Sequence, residues 1–286
     1  MICSSLNRKM LTERSPEKRR RFRRWKRWLL GIVAVYVAGG IALWAFQDKL
    51  LFRPVVLEQD YTFNFATPFE EINLPVTEEK NLNIIQFKVP DSLTRGIVLF
   101  FHGNRENVER YAPAVQEFVK HNYEVWMPDY PGFGKSTGER TEQIMYDDAA
   151  LLFKMAKSVM NPDSIIIYGR SMGTGVAAHL ASRVDCRRLL LEAPYYSMHA
   201  LMQHYAFIYP VSWIAKYEFP TYAYLPEVDA PITIFHGTSD EVIPYSHAVR
   251  LAKVKPGIQL ITIKDGGHND ISTTPDYLAQ LDAMLK

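Results

Sequence analysis

Short apolar runs alternate with amphipathic stretches along most of this chain. The apolar runs contain few polar residues, which is typical of strands that are covered on both faces of a parallel sheet. They lie at residues 82–89, 96–101, 123–127, 165–168, 189–191, 232–235 and 260–263. Helical spacing predicts helices at 108–122, 141–160, 246–254 and 275–285. We therefore predict an α/β fold with a doubly wound, mostly parallel sheet over residues 71–286, and ligand chemistry at the carboxyl ends of its strands.

Residues 195–225 interrupt this alternation. The segment has no clear strand pattern and contains ten aromatic residues. An insertion here would form a cap over the ligand site, whereas two helices packed on the core would account for the same composition. Both interpretations stay open, and either one would supply an apolar wall near the site.

The N-terminal region departs from the globular pattern, because residues 28–47 carry no charge. About 20 residues of helix cross the hydrocarbon core of a bilayer. Trp25, Trp28 and Trp44 lie near the ends of this stretch, where amphipathic rings favour the membrane interface. A cleaved signal peptide would explain part of the pattern, with small residues at 38–40 as its cleavage site. However, apolar sequence continues beyond them and the basic lead is long for a signal, so we predict an uncleaved transmembrane helix.

Charge is distributed unevenly about this predicted helix. Residues 1–28 contain 11 Lys or Arg against 2 Asp or Glu, whereas the rest of the chain contains 22 against 29. Because basic flanks stay in the cytoplasm, we expect residues 1–27 to be a cytoplasmic tail and the body to face outward, into the periplasm if the source is Gram-negative. The mildly acidic body argues against a nucleic-acid partner. Residues 48–70 are expected to be a connector.

Several signals for bound groups are absent from the sequence. No cysteine or histidine cluster has zinc spacing and no dinucleotide fingerprint occurs, so we expect no cofactor and no metal. Residues 132–137 end like a phosphate-binding loop, but Asp129 stands where that motif needs its first glycine, and we reject nucleotide binding. Cys3 and Cys186 fall on opposite sides of the predicted helix, so we expect no disulfide between them. Cys186 is expected to be a small buried residue and not a nucleophile.

A G-x-S-x-G motif spans residues 169–173, between the apolar run 165–168 and a small-residue helical stretch at 175–181. In this context it is the pattern of a nucleophile elbow, in which a tight turn lifts the serine hydroxyl above the sheet. Gly169 and Gly173 supply the small neighbours that such a turn needs. Ser171 is therefore the candidate nucleophile. The alternative is an accidental turn, since the bare motif is common by chance.

A serine hydroxyl needs an oriented base to take its proton. His268, in a loop after the last predicted strand, is the candidate base, and Asp240, in the loop after the 232–235 strand, is the candidate acid. Each of the three residues follows a strand, which places them at one edge of the sheet. Glu192, at the end of the 189–191 strand, is the alternative acid. The remaining histidines that we considered are expected to be structural, surface or cap residues: His102, His199, His204, His236 and His247.

Acyl transfer also needs hydrogen-bond donors for the oxyanion that develops on the substrate carbonyl. The backbone N–H of Met172, next to the nucleophile, is one candidate. The backbone N–H of Asn104 is the other, in a loop after the 96–101 strand that Gly103 allows to be tight. Tyr195 and Tyr196, at the start of the aromatic segment, are the candidate substrate-binding side chains.

With these residues identified, the body resembles an α/β-hydrolase over about residues 70–286. The matching segments are 102–104, 129–136, 169–173, 237–240 and 267–268. Together with its single anchor, the chain is similar to YfhR-type bacterial membrane-anchored hydrolases and to eukaryotic α/β-hydrolase-domain proteins. The resemblance implies Ser171 as nucleophile, Asp240 as acid and His268 as base. Relatives include lipid hydrolases, protein depalmitoylases and serine peptidases, so the resemblance does not fix the substrate.

The sequence therefore indicates a membrane-anchored serine hydrolase that cleaves carboxylic esters or thioesters of small-molecule or lipid-like acyl substrates through an acyl-enzyme. A serine peptidase of the same fold is one alternative. A catalytically silent, membrane-bound binding protein is another. The oligomeric state is left open.

Overall fold

The computed structural model describes residues 16–286, so Cys3 and the first part of the predicted cytoplasmic tail lie outside the described residues. The chain divides into a first unit that ends at Gln47 and a second unit, Asp48–Lys286. Most of helix α1 (Pro16–Leu51) lies in the first unit. By length and composition, its portion Arg20–Leu51 could cross a membrane.

An eight-stranded sheet forms the centre of the second unit. In chain order its strands are β1 (Phe69–Pro75), β2 (Asn81–Phe87), β3 (Gly96–Phe101), β4 (Tyr123–Pro128), β5 (Ile165–Arg170), β6 (Arg188–Glu192), β7 (Ile232–Gly237) and β8 (Gln259–Ile263). Across the sheet the order is β8-β7-β6-β5-β3-β4-β2-β1. Strand β2 is antiparallel to both of its neighbours, and every other neighbouring pair is parallel. The predicted doubly wound, mostly parallel sheet is confirmed.

The central strands are apolar because both of their faces are covered. Every residue of β3 and β4 is buried. Successive side chains point to opposite faces of the sheet, so Leu99 and Ile167 belong to one buried cluster and Phe100 and Tyr168 to the other. A strand buried in this way cannot alternate polar and apolar residues, which explains the continuous apolar runs in the sequence.

Helices cover the two faces of the sheet. In the second unit they are α2 (Val108–Tyr111), α3 (Gln116–Val119), α4 (Glu142–Val159), α5 (Gly173–Ala181), α6 (Met198–Tyr205), α7 (Val211–Ile214), α8 (Thr221–Tyr224), α9 (Ser246–Leu251) and α10 (Pro275–Leu285). The helix expected at 108–122 is divided by a 3₁₀ turn, Ala112–Val115, since Pro113 has no N–H to continue the α-helical ladder. Helix α4 begins beside Thr141, whose hydroxyl accepts a hydrogen bond from the N–H of Ile144 (3.2 Å).

The segment expected to be a connector belongs to the second unit and packs into it. Phe52 and Phe63 are buried, and β1 already begins at Phe69. A two-residue strand, Arg53–Pro54, pairs in parallel with Arg105–Glu106. The sequence pattern misses β1 because this edge strand exposes part of its surface and contains two adjacent glutamates, which break the apolar run.

The aromatic segment lies between β6 and β7 and contains α6, α7 and α8. Tyr195, Tyr217 and Phe219 are buried, whereas Phe207 is 77% exposed and Trp213 is 85% exposed. The segment thus has one part packed on the core and another part that exposes apolar side chains. We call residues 198–214 the cap.

Candidate active site

Ser171 lies in the turn between β5 and α5, at the carboxyl edge of the sheet. Its φ is +52°, in the left-handed region that is strained for a residue with a side chain. A Cβ added to Gly169 would lie 2.6 Å from the carbonyl oxygen of Gly173, and one added to Gly173 would lie 2.1 Å from the carbonyl oxygen of Phe101. Both outer positions of the motif, 169 and 173, must therefore be glycine, because backbone atoms occupy the space of a side chain.

The three residues of the expected triad meet at this edge. Ser171 Oγ lies 2.9 Å from Nε2 of His268, and Nδ1 of His268 lies 2.8 Å from Oδ2 of Asp240. With the imidazole neutral and its proton on Nδ1, the ring donates to Asp240 and accepts from the Ser171 hydroxyl. All three residues are buried, so little water competes for these hydrogen bonds.

Asp240 is surrounded by donors that favour its ionised form. Its Oδ1 accepts hydrogen bonds from the backbone N–H groups of Val242 (2.8 Å) and Ile243 (2.7 Å). Burial by itself would raise the pKa of this carboxyl, but hydrogen bonds from His236, His268 and Ile243 outweigh it and hold the pKa below its usual range. His236 is fully buried, with Nε2 lying 3.3 Å from Oδ2 of Asp240 and 2.8 Å from the carbonyl oxygen of Ile243. His236 therefore contacts both the Asp240 carboxylate and the loop that carries it.

The two expected oxyanion donors lie on neighbouring loops. Met172 precedes α5, and Asn104 follows β3, the strand that pairs with β5 at Phe101 and Gly169. The contact of Gly173 with Phe101 brings the two loops together. Within residues 16–286, neither the Met172 N–H nor the Asn104 N–H donates to a backbone acceptor.

A buried pair that the sequence analysis missed supports the loop after β3. His102 Nε2 lies 3.1 Å from Oδ1 of Asp129, and both side chains are fully buried. The same Asp129 oxygen accepts a hydrogen bond from the N–H of Val108 (3.0 Å). Burial raises the pKa of Asp129, although His102 and the Val108 N–H oppose the shift. The signal available in the sequence was the aspartate at the start of the 129–136 turn. In the structure Gly134 of this turn passes so close that a Cβ would lie 2.0 Å from Oδ2 of Asp129.

The structure corrects the expectation for Tyr195. Its side chain is completely buried and its hydroxyl donates to the carbonyl oxygen of Met172 (3.0 Å), so it supports the elbow and presents no surface to a substrate. Tyr196 is half-buried and stacks on Tyr222, with ring centroids 4.6 Å apart. The guanidinium of Arg250 lies 3.7 Å from the centre of the Tyr196 ring. Composition could not reveal that Tyr195 packs in the core whereas Tyr196 is partly exposed.

Other residues weighed from the sequence have partners outside the triad. Glu192, the alternative acid, is fully buried; its Oε2 accepts hydrogen bonds from the hydroxyls of Tyr168 and Tyr277. Lys135, from the rejected phosphate loop, is buried and its ammonium lies 2.9 Å from Oε1 of Glu71. Burial raises the pKa of the Cys186 thiol to about 12, which leaves it protonated. Within residues 16–286, no group of three or more His, Cys, Asp or Glu side chains is arranged to hold a metal ion.

Three features define an α/β-hydrolase fold: the order of the strands, a strand β2 that is antiparallel to its neighbours, and a serine on a strained turn after β5. The chain belongs to the α/β-hydrolase superfamily. Residues 92–225 match the hydrolase family described as serine aminopeptidase, S33. That match ends before the loops of Asp240 and His268, so it bears on the elbow and not on the acid or the base.

Two curated relatives carry the same superfamily name. The α/β-hydrolase domain-containing protein aho-3 of Caenorhabditis elegans is 32% identical over 195 residues, covering 66% of this chain and 57% of that protein. The α/β-hydrolase domain-containing protein 17C of Xenopus tropicalis is 31% identical over 198 residues, covering 67% of this chain and 62% of that protein. The aligned part of the chain thus spans about three fifths of the length of these relatives.

Solved structures share the fold at lower sequence identity. An esterase from Pyrococcus furiosus has a TM-score of 0.62 at 18% identity, covering 82% of this chain and 97% of that one. An α/β-hydrolase from Vibrio vulnificus has a TM-score of 0.62 at 22% identity, covering 76% of this chain and 81% of that one. At these identities the similarity concerns the fold alone.

Proposed function

We propose that the protein is a membrane-anchored serine hydrolase that cleaves carboxylic esters or thioesters through an acyl-enzyme. The observation that carries this proposal is the pair of contacts at His268, 2.9 Å from Ser171 Oγ and 2.8 Å from Asp240 Oδ2. A hydroxyl, a base and an oriented carboxylate at these distances make up the machinery of acyl transfer.

In the first half of the reaction, Ser171 Oγ attacks the substrate carbonyl carbon while its proton passes to Nε2 of His268. Asp240 stabilises the imidazolium that forms, and it stays ionised because its neighbours lower its pKa. The tetrahedral intermediate collapses as Nε2 gives its proton to the departing alkoxide or thiolate. An alcohol or thiol leaves, and the acyl group stays on Ser171.

In the second half, water attacks the acyl carbon and loses a proton to Nε2 of His268. Collapse of this intermediate breaks the bond to Ser171 Oγ, which recovers the proton from Nε2, and a carboxylic acid leaves. In both halves the Met172 and Asn104 N–H groups are the proposed donors to the oxyanion. Met172 lies where the N-terminal dipole of α5 also favours negative charge.

Two features favour a hydrophobic acyl group on the substrate. The cap exposes Phe207 and Trp213, and Tyr205 on α6 donates a hydrogen bond to the carbonyl oxygen of Val242 (2.7 Å), two residues after Asp240. An exposed apolar surface of this kind is typical of contact with lipid or another apolar partner. Helix α1 would hold the enzyme at a bilayer. The basic residues before it place the N-terminus in the cytoplasm and the catalytic unit outside, by the positive-inside rule.

The test is labelling of the full chain by a fluorophosphonate, which reacts with an activated serine whatever the substrate. We expect the wild type and Ser158→Ala to be labelled, since Ser158 is exposed on α4, and Ser171→Ala to be silent while it keeps its fold. Turnover of short-, medium- and long-chain p-nitrophenyl esters should be lost in the same variant. A wild type that is neither labelled nor active on any ester would favour the silent binding protein instead.

A serine peptidase is the second candidate, because the matching family is described as serine aminopeptidase. The same triad would cleave an amide, with Nε2 of His268 giving its proton to the nitrogen of the departing amine. Fluorogenic dipeptide amides separate the two functions: Ser171-dependent turnover of amides that exceeds turnover of esters would favour the peptidase.

A further inference from the structure

The residues at the end of α1 and just after it form hydrogen bonds with the loop that carries Asn104, the proposed oxyanion donor. The side-chain amide of Asn104 donates a hydrogen bond to the carbonyl oxygen of Leu51 (2.5 Å), and the N–H of Arg53 donates to the carbonyl oxygen of Asn104 (2.8 Å). Leu51 is the last residue of α1, and the last carbonyls of a helix have no partner within the helix. The Asn104 side chain therefore caps the end of α1. Its backbone carbonyl is in turn held by the N–H of Arg53, two residues after Leu51.

These contacts continue along residues 51–57, which we call the junction segment. The N–H of Val55 donates to the carbonyl oxygen of Glu106 (2.9 Å), which extends the short parallel pairing of Arg53–Pro54 with Arg105–Glu106. Glu106 has a φ of +59°, so the loop is held in a strained conformation at this point. Neighbouring structure must maintain such a conformation, and the junction segment supplies backbone hydrogen bonds on both sides of Arg105.

On its other side the junction segment binds the turn that supports His102. The N–H of Gly134 donates to the carbonyl oxygen of Val55 (3.0 Å), and the N–H of Leu57 donates to the carbonyl oxygen of Gly134 (2.8 Å). Phe52 is buried and packs edge-on against Phe133 of the same turn, with ring centroids 6.5 Å apart. The segment thus lies between the loop that carries Asn104 and the turn that supports His102, and it bonds to both.

We propose that the junction segment is part of the catalytic apparatus, with the Asn104 side chain as a positioning residue that sets the direction of its own backbone N–H. The proposal rests on the proposed function, because that N–H matters only if an oxyanion forms. On this proposal the end of α1 has a second role besides anchoring the protein to a membrane, since the rate of hydrolysis depends on the hydrogen bonds between the junction segment and the Asn104 loop.

Two variants of the full chain in detergent micelles test the positioning role. Asn104→Ala removes the side-chain bond to Leu51 but keeps the backbone N–H, and Val55→Pro removes the donor to Glu106. Glu78→Pro is the matched control, since Glu78 is exposed in the turn between β1 and β2, outside the junction segment, and, in the described part of the chain, its N–H donates to no backbone acceptor. Loss of a whole oxyanion donor lowers kcat by about 10²–10³. We expect misalignment of one donor to lower kcat by about tenfold or more, with KM changed less than twofold, and Glu78→Pro to stay near wild type.

A trifluoromethyl ketone, which forms a tetrahedral adduct with an activated serine, provides the second measurement. Its affinity should fall by the same factor as kcat in Asn104→Ala and Val55→Pro, which a merely structural role would not produce. Circular dichroism identifies a variant that fails to fold, in which case the other variant decides. Wild-type kcat and ketone affinity in the folded variants, or an equal loss in Glu78→Pro, would overturn the proposal. If the wild type itself is inactive and unlabelled by fluorophosphonate, it is the proposed function that fails.

Discussion

The backbone N–H of Ser171 donates a hydrogen bond of 2.8 Å to the carbonyl oxygen of Glu192. This bond ties the strained serine turn to the end of β6. The Glu192 carboxylate also pairs with Arg170, the residue before the serine, at 3.1 Å, and Arg170 donates to the carbonyl oxygen of Asn269, beside His268. A glutamate that the sequence offered as an alternative acid therefore connects the nucleophile strand to the base loop.

Glu192→Gln should destabilise the protein strongly. Glu192 is fully buried, and removing one charge of a buried pair leaves the Arg170 guanidinium without a counter-charge, which costs about 3–5 kcal/mol in comparable cases. Because Arg170 keeps some exposure, we expect about 3 kcal/mol, seen as a lower Tm in differential scanning fluorimetry. The same substitution at Glu117, in an exposed pair with Lys120, should cost less than about 0.5 kcal/mol. Equal losses in the two variants would contradict this role.

Asp240→Asn should lower kcat by about 10⁴, as loss of the carboxylate does in a serine protease triad. The amide cannot stabilise the imidazolium and favours the wrong tautomer of His268. Steady-state kinetics on a p-nitrophenyl ester gives the value. The neighbouring Glu241, whose carboxylate is 3.4 Å from the N–H of His268, supplies the control. Glu241→Gln should keep kcat within about tenfold, and a larger loss there than at Asp240 would reassign the acid.

Gly173→Ala should prevent the elbow from forming. The new Cβ would meet the carbonyl oxygens of Phe101 and His102 at 2.1 and 2.6 Å, and backbone atoms of a central strand cannot move aside. We expect a loss of at least about 3 kcal/mol, together with loss of fluorophosphonate labelling. Gly257→Ala separates steric overlap from backbone strain, because Gly257 has a φ of +90° but open space around it. That variant should lose only about 1 kcal/mol and stay labelled.

Phe207→Ser and Trp213→Ser should affect substrates in a bilayer more than soluble ones. Both side chains are exposed on the cap, so their removal leaves the core intact and Tm unchanged. In proteoliposomes we expect hydrolysis of a long-chain ester to fall several-fold, while turnover of a short-chain soluble ester stays near wild type. Val159→Ser removes an apolar side chain of similar exposure at the end of α4 and should change neither rate. Parallel losses on both substrates would argue against a lipid-contacting cap.

Stability should decline in mildly acidic solution because of His247. Burial, with Arg250, His236 and His204 nearby, lowers its pKa to about 4 against the weaker opposing effect of Asp240. Its Nδ1 accepts a hydrogen bond from the N–H of Tyr196 (3.0 Å), which requires the neutral ring.

In the unfolded chain a histidine has a pKa of about 6.5, so the unfolded state binds more protons and stability falls as the pH drops from about 6.5 towards about 4. His247→Asn keeps an acceptor for the same N–H but does not titrate, and its Tm should depend less steeply on pH in that window. Gln203→Asn, an exposed and non-titrating position on the cap, should keep the wild-type slope. An unchanged slope in His247→Asn would assign the acid sensitivity to other groups.

The fold and the meeting of the three candidate triad residues were predictable because their signals are local. Each central strand appears as a continuous apolar run, since β3, β4 and β5 are buried on both faces whatever their neighbours are. The G-x-S-x-G motif specifies its own turn through steric limits within five residues. Given parallel strands, residues that follow them reach the same edge, so Ser171, Asp240 and His268 could be brought together from their positions in the sequence alone.

Contacts between distant segments could not be predicted in this way. Tyr195 and Glu192 looked like site residues by type, but the side chains that surround them place one beneath the elbow and the other in a buried ion pair. Residues 51–57 looked like a connector because their role lies in backbone hydrogen bonds to loops some 50 and 80 positions away, which leave no pattern in side-chain chemistry. The sequence by itself determined the strands that are buried on both faces and the residues that can react, whereas it did not reveal the edge strand β1. Only the tertiary structure decided which of the remaining polar and aromatic side chains face the site, because that depends on what packs against each of them.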